Sequence, residues 1–199
     1  MARTVNRQEQ EERISQAVWE VLAESGPQNL TLRAVAERAG CTTGLVLHTF
    51  PDKKALLAHA RQLLHERTSV RMDELAAEGL PPQAELRELL MQANLSHSSD
   101  KQHDSRVWLG FLASALGDPD LTAIHVAANR DFIARVEQIV GRARPAWGPQ
   151  QVATTATALI SLVEGLNVLA TADLEHYTPE HQGDAIEYVL RALDLDVPS

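Results

Sequence analysis

Residues 30–57 read LTLRAVAERAGCTTGLVLHTFPDKKALL: two short apolar-periodic segments, a glycine-bearing turn between them, and the opening of a third helix. Thr31 stands where it can cap a first helix, whose Leu32, Val35, Ala36 and Ala39 recur at helical spacing. Gly40 follows as a left-handed stop. A second helix opens at Thr42 or Thr43, turning Leu45 and Val46 toward a core. Its other face keeps Thr42, Thr43, Gly44, His48 and Thr49, polar or small enough to enter a DNA major groove. Phe50 closes that helix, and Asp52 is placed to cap a third beginning Lys53-Lys54-Ala55-Leu56. This is the layout of a helix-turn-helix.

The same residues carry a family resemblance. Ala39-Gly40, Thr42, Gly44, Phe50, Lys53 and Leu56 stand in register with the N-terminal signature of the TetR family of bacterial one-component transcriptional regulators, which residues 7–60 resemble. One position departs from the family pattern. Where a tyrosine usually meets a DNA phosphate, this chain has Leu47.

Outward from the motif the chain reads as helix almost throughout, with no run alternating apolar and polar residues in the manner of a strand. A first helix is expected from about Arg7 to Ser25, ended by Gly26-Pro27, and a long fourth one from Asp52 to about Glu78. Further helices are expected over Ala84–Ser98, Asp104–Leu116, Asp120–Arg142, Gln150–Thr171 and Pro179–Leu193. The expected fold is therefore all-α, with about nine helices. A three-helix helix-turn-helix head over 1–52 is joined by the long fourth helix to an effector-binding and dimerisation body over 53–199.

An apolar share of 44% in 199 residues supplies a sizeable core. No stretch approaches the roughly 18 consecutive apolar residues of a membrane span, and the N-terminus lacks the apolar segment of a secretory signal, so a cytoplasmic protein with no membrane partner is expected. The single cysteine, Cys41, cannot form an internal disulfide and reads as an apolar plug at the motif's corner. The net charge of −9 is unexpected for a DNA binder, but it is unevenly spread. Residues 1–71 hold ten basic and eight acidic side chains, and residues 72–199 hold eight basic and nineteen acidic ones. Arg7, Thr31, Arg33, Thr42, Thr43, Gly44, Leu47, His48, Thr49 and Lys53 are the expected DNA-facing residues. One head covers too little DNA for tight binding, so a two-fold homodimer reading half-sites about 34 Å apart on a double-stranded operator is expected.

The dimer surface is sought in the last two helices. Val152, Ala156, Leu159, Ile160, Val163, Leu166 and Val168 nearly encircle one, and Ile186, Val189, Leu190 and Leu193 stripe the other. The stretches Arg106–His125 and Ala158–Ala170 resemble the C-terminal domain of the BetI-like branch of the family, whose namesake senses choline. For a small-molecule effector, Trp108, Phe111, His125, Glu164 and Asn167 are the polar or aromatic side chains that an apolar pocket would use as anchors, with His97, Phe132 and Tyr177 as further candidates. Glu164 interrupts an otherwise uncharged run, so it needs a partner: Arg106, Arg130, a histidine or a ligand, which would be cationic if Glu164 faces a cavity beside Trp108. The histidine pairs His59/His65 and His97/His103 do not have the spacing of a helical zinc site. No cofactor is implied, and no nucleophile elbow, phosphate loop or catalytic carboxylate pair appears. The expected function is a ligand-responsive repressor released from its operator by an effector. The alternative is an all-helical carrier or enzyme that uses the helix-turn-helix only for packing.

Overall fold

Local signals decide where each helix begins. The computed structural model describes the backbone of residues 2–94 and 99–197 and the side chains of 9–94 and 104–197. Among the described residues the chain forms α1 (Ala2–Asn29), α2 (Leu32–Arg38), α3 (Thr43–Thr49), α4 (Lys53–Ala77), α5 (Pro82–Ala93), α6 (Ser99–Ala115), α7 (Pro119–Ala143), α8 (Pro149–Ala172) and α9 (Pro179–Ala192). The three expected caps are in place. Oγ1 of Thr31 accepts from the Ala34 amide at 3.1 Å, Oγ1 of Thr42 from the Leu45 amide at 3.4 Å, and Oδ1 of Asp52 from the Ala55 amide at 2.8 Å.

Gly40 ends α2 as expected, at φ 62°, with the Cys41 amide donating to the Ala36 carbonyl and the Gly40 amide to the Glu37 carbonyl. This bond pair satisfies the last carbonyls of α2 and turns the chain into α3.

Several boundaries differ from the sequence expectation for one reason. The expected helices begin just after Pro82, Pro119 and Pro149, yet each of these prolines is itself the first residue of a helix. A proline there gives up no hydrogen bond, because the first amides of a helix have no internal partner. α1 likewise extends past the expected end. Gly26 breaks it at φ 75° and a short turn carries on to Asn29.

The chain divides into two units, each with its own core. The first comprises Met1–His65 together with Arg106–His125, so the end of α6 and the start of α7 are part of the unit that carries the helix-turn-helix. Leu22, Leu30, Val35, Val46, Leu56 and Phe111 form its centre, each 0% exposed. α6 comes close to the α1 break through Gly110, where a Cβ would lie 3.0 Å from Cδ of Pro27 and 3.4 Å from Leu22. Cys41 packs half-buried against this core, as an apolar plug should.

The second unit comprises Glu66–Ser105 and Val126–Ser199, with Leu86, Leu89, Val136, Ile139, Leu159, Ile186 and Leu190 at its centre. α5, α8 and α9 pack on one another. Glu85, 7% exposed, is held by Nη2 of Arg142 at 2.8 and 2.9 Å, which offsets the cost of burying its charge. By length and composition α8 is apolar enough to cross a bilayer, although threonine, serine and glycine interrupt its apolar residues and Glu164 is its one charged side chain; its Leu159, Val163 and Leu166 pack in this core.

Candidate functional site

α3 is a short helix held from beneath and open above. Val46 is fully buried, Leu45 is half-buried, and Thr43, Gly44, Leu47, His48 and Thr49 are exposed along the outer face. Thr31, Arg33 and Lys53 are exposed beside it. Arg7, also expected on this face, lies outside the residues whose side chains are described. Thr31 and Thr42 use their hydroxyl oxygens as caps, and each O–H remains able to donate. Leu47, 45% exposed, presents an apolar tip on this face. Gly44 is the most informative of the set, because a Cβ built on it would meet nothing nearer than Oγ1 of Thr42, at 4.0 Å. Nothing inside the chain requires a glycine there. Bare backbone at that point leaves room on the outer face of α3.

Charge around α3 is arranged by contacts that sequence spacing did not reveal. The Arg13 guanidinium donates to the Ala39 carbonyl, clamping α1 to the α2–α3 turn. Arg38 is held by Glu20 and Glu24 of α1, which push its pKa up, the bond to Glu24 contributing most. Hydrogen bonds from Gln16 and then Arg38 hold the Glu20 carboxyl below its usual range. Lys54 pairs with Asp120 and with Asp118, the latter at 2.9 Å, so its charge is answered at the α6–α7 corner. Among the described residues Lys53 makes a long bond to the Gln28 carbonyl, at 3.4 Å, and stays exposed. The basic character of α2 and α4 residues was legible; which of them are neutralised depends on partners up to 66 positions away.

The residues expected to line one effector pocket fall into two groups. Trp108, Phe111 and His125 belong to the first unit, where Phe111 is fully buried in the core and Trp108 packs half-buried against it. The His125 ring centroid is 6.5 Å from that of Phe111, and its Nδ1 is buried without a hydrogen bond. Glu164 and Asn167 belong to the second unit, one turn apart on α8, with Asn167 2% exposed and donating to the Ala93 carbonyl at 3.1 Å. Phe132 and Tyr177 pack half-buried against the second core, and His97 lies outside the described residues. His59 packs on Phe50, ring centroids 4.8 Å apart, and bonds Oγ of Ser15 at 2.8 Å, which is a structural role.

Burial, then the neighbouring Arg61 charge, pushes the His125 pKa below its ordinary 6.5. A base whose folded pKa lies below its unfolded value contributes stability that is present above the unfolded pKa and lost as pH falls through the folded one. Melting temperature should therefore fall as the buffer is taken from about pH 7 to pH 5, and His125→Phe should flatten part of that decline. An unchanged profile in the variant would show that His125 is not a source of it.

The expected dimer residues are largely used inside the chain. Ala156, Leu159, Ile160, Val163, Ile186 and Leu190 are buried in the second unit's own core, while Val152 and Val189 are half-buried. Of the expected residues Val168 stays open, at 38% exposure, and Leu169 at 47% and Tyr188 at 68% are the other large apolar side chains exposed on α8 and α9. An all-round apolar helix signals two covered faces, but periodicity alone cannot say which face is internal.

Comparison with known proteins bears on both halves of the chain. Residues 14–67 match the bacterial regulatory proteins of the tetR family, and residues 82–194 match the C-terminal domain of BetI-type transcriptional repressors. The HTH-type transcriptional regulator BetI of Stenotrophomonas maltophilia (strain R551-3) is 28% identical over 156 residues, 78% of either chain. The solved SmeT–triclosan complex superposes with a TM-score of 0.75 at 26% identity, covering 96% of this chain and 95% of that one. A transcriptional regulator from Saccharomonospora viridis in complex with choline has the same fold, with a TM-score of 0.81 at 18% identity over 92% and 96% of the two chains.

Proposed function

Because the chain belongs to the TetR family of bacterial regulatory proteins and carries a BetI-type repressor C-terminal domain, we propose that it is a homodimeric repressor that holds a palindromic operator in the cytoplasm and leaves it when a small-molecule effector binds. The observation that carries this reading is the outer face of α3: apart from Leu47, small or polar side chains around a glycine that no internal contact requires. Residues 1–52 supply the DNA contacts, and residues 53–199 the effector site and the dimer surface.

Dimerisation is supported by the apolar side chains left open on α8 and α9. Val168, Leu169 and Tyr188 are exposed on the α8–α9 pair, and covering them with a second copy removes apolar area from water at about 25 cal/mol per Å². Two linked heads bind a palindrome far more tightly than one, so release needs only a change that prevents both from engaging at once. The first unit supplies a lever for that change. Lys54, in the first turn of α4, is paired with Asp118 and Asp120 at the α6–α7 corner, and Gly110 of α6 sits against the α1 break. A ligand that shifts α6 or α7 therefore moves the elements that aim α3.

Effector binding is supported by the relatives solved with choline and with triclosan, and by the partly buried carboxylate of Glu164. The test is selection of genomic fragments by the purified protein, followed by affinity measurements on the recovered duplex at fixed salt with and without compounds suggested by the adjacent genes. Specific capture and ligand-driven release are expected. Failure to capture any duplex at low salt would sink the DNA-binding reading. Glu164→Gln should weaken the response to a cationic effector; an intact response would remove Glu164 from the site.

A further inference from the structure

The outer face of α3 carries one side chain that phosphate binding does not explain. Leu47 is 45% exposed, and among the described residues of 9–65 it is the only large apolar side chain left so open. It has neither charge nor hydrogen-bond donor, so it adds nothing to the attraction for phosphates. A lone leucine on a protein surface is ordinary. What makes this one informative is the backbone beside it.

Thr43 and Gly44 stand four and three positions before Leu47 in α3, so the three share one strip of the helix surface. Side chains on a helix lean toward its N-terminus, which aims the leucine methyls over the turn that holds Thr43 and Gly44. That turn is open at its centre: a Cβ at Gly44 would meet only Oγ1 of Thr42, at 4.0 Å. The Thr42 oxygen is engaged as the α3 cap, and the exposed Thr43 brings a methyl of its own. The result is a shallow notch floored by bare backbone, with a leucine at one end and a threonine at the other.

Among the four DNA bases only thymine shows a methyl group in the major groove. A methyl makes no hydrogen bond, so a protein reads it by apolar contact and by the water it sheds, and a notch of this size and polarity supplies both. We propose that Leu47 is a specificity-determining residue that, together with the gap at Gly44, seats the C5 methyl of one operator thymine in each half-site. The inference rests on the reading of α3 as a major-groove helix and names what that helix selects. It also gives the leucine and the glycine one purpose: a side chain at Gly44 would fill the space that the methyl enters.

The test uses the full-length protein and the duplex it selects from genomic fragments. Each thymine is replaced in turn, symmetrically in both half-sites, by deoxyuridine, which pairs identically and lacks only the methyl. Burying one methyl favours binding about fourfold, so replacement at the seated position in both half-sites should weaken the wild-type protein roughly tenfold. At that position Leu47→Ala should bind the thymine and deoxyuridine duplexes within about twofold of each other, and Leu47→Met should keep most of the preference. Leu47→Ala should also leave the dependence of affinity on salt unchanged, because no phosphate contact is lost. Three results overturn the proposal: a wild-type protein indifferent to deoxyuridine at every position, a preference that Leu47→Ala retains in full, or a salt dependence that Leu47→Ala reduces. The wild-type series decides the first even if a variant fails to fold. Specific capture without methyl dependence rejects the notch and leaves the DNA-binding reading standing, whereas failure to capture any duplex at low salt removes both.

Discussion

Gly44→Gln should melt at or above the temperature of the parent protein and yet lose roughly a hundredfold or more in operator affinity. The folded chain has room for the side chain, since the only atom a Cβ would meet is Oγ1 of Thr42 at 4.0 Å. Gly44 lies within α3, where replacing glycine by a better helix former stabilises by up to about 1 kcal/mol. The loss arises at the DNA. A side chain on the face carrying Thr43, Leu47 and His48 holds α3 away from the base edges, and in a homodimer it does so in both half-sites. Anisotropy titrations of the selected duplex at one salt concentration, paired with thermal melts, check both halves of the prediction. Unchanged affinity would mean that α3 does not approach the bases through this point.

The largest stability effect should come from Phe111→Ala, expected to cost about 3–5 kcal/mol, a large part of the 5–15 kcal/mol that holds a typical domain folded. Phe111 is 0% exposed in the first core, with Leu22, Leu30, Val46 and Leu56 as companions in the same cluster. Truncating it leaves a cavity that fixed helices cannot fill. Because α6 shares this core with the helix-turn-helix, the variant should lose duplex binding together with its fold. Urea unfolding of the full chain separates the possibilities. A sharply lowered midpoint identifies a core residue, whereas an unchanged midpoint with altered effector response would make Phe111 a pocket wall.

The comparison of α2 and α3 with the rest of the chain shows where sequence reasoning carries. Thr31, Thr42, Asp52 and Gly40 do what their residue types and spacing predict, because a cap or a left-handed stop is decided within about five residues. The expected starts fall just after the prolines: Pro82, Pro119 and Pro149 themselves open helices, and the signal that could have shown it was the helical periodicity resuming directly after each. The candidate site was half legible. The exposed set on α3 was readable from its polarity and small size, but the complete burial of Phe111 in the first core was not, since nothing local tells an aromatic residue in a core from one in a pocket.

Sequence by itself determined an all-helical chain, the helix-turn-helix and its family, because helix period, caps and turn chemistry act over a few residues. Tertiary structure alone decided how those helices are used. Leu159 and Leu169 are the same residue type ten positions apart on α8, and packing buries the first completely while leaving the second 47% exposed. Packing likewise neutralised Lys54 with carboxylates of a distant corner and buried the polar Asn94 completely. A residue's type sets what it can bond to. Which partners come within reach is set by contacts between segments far apart in the chain, and local pattern carries no record of those.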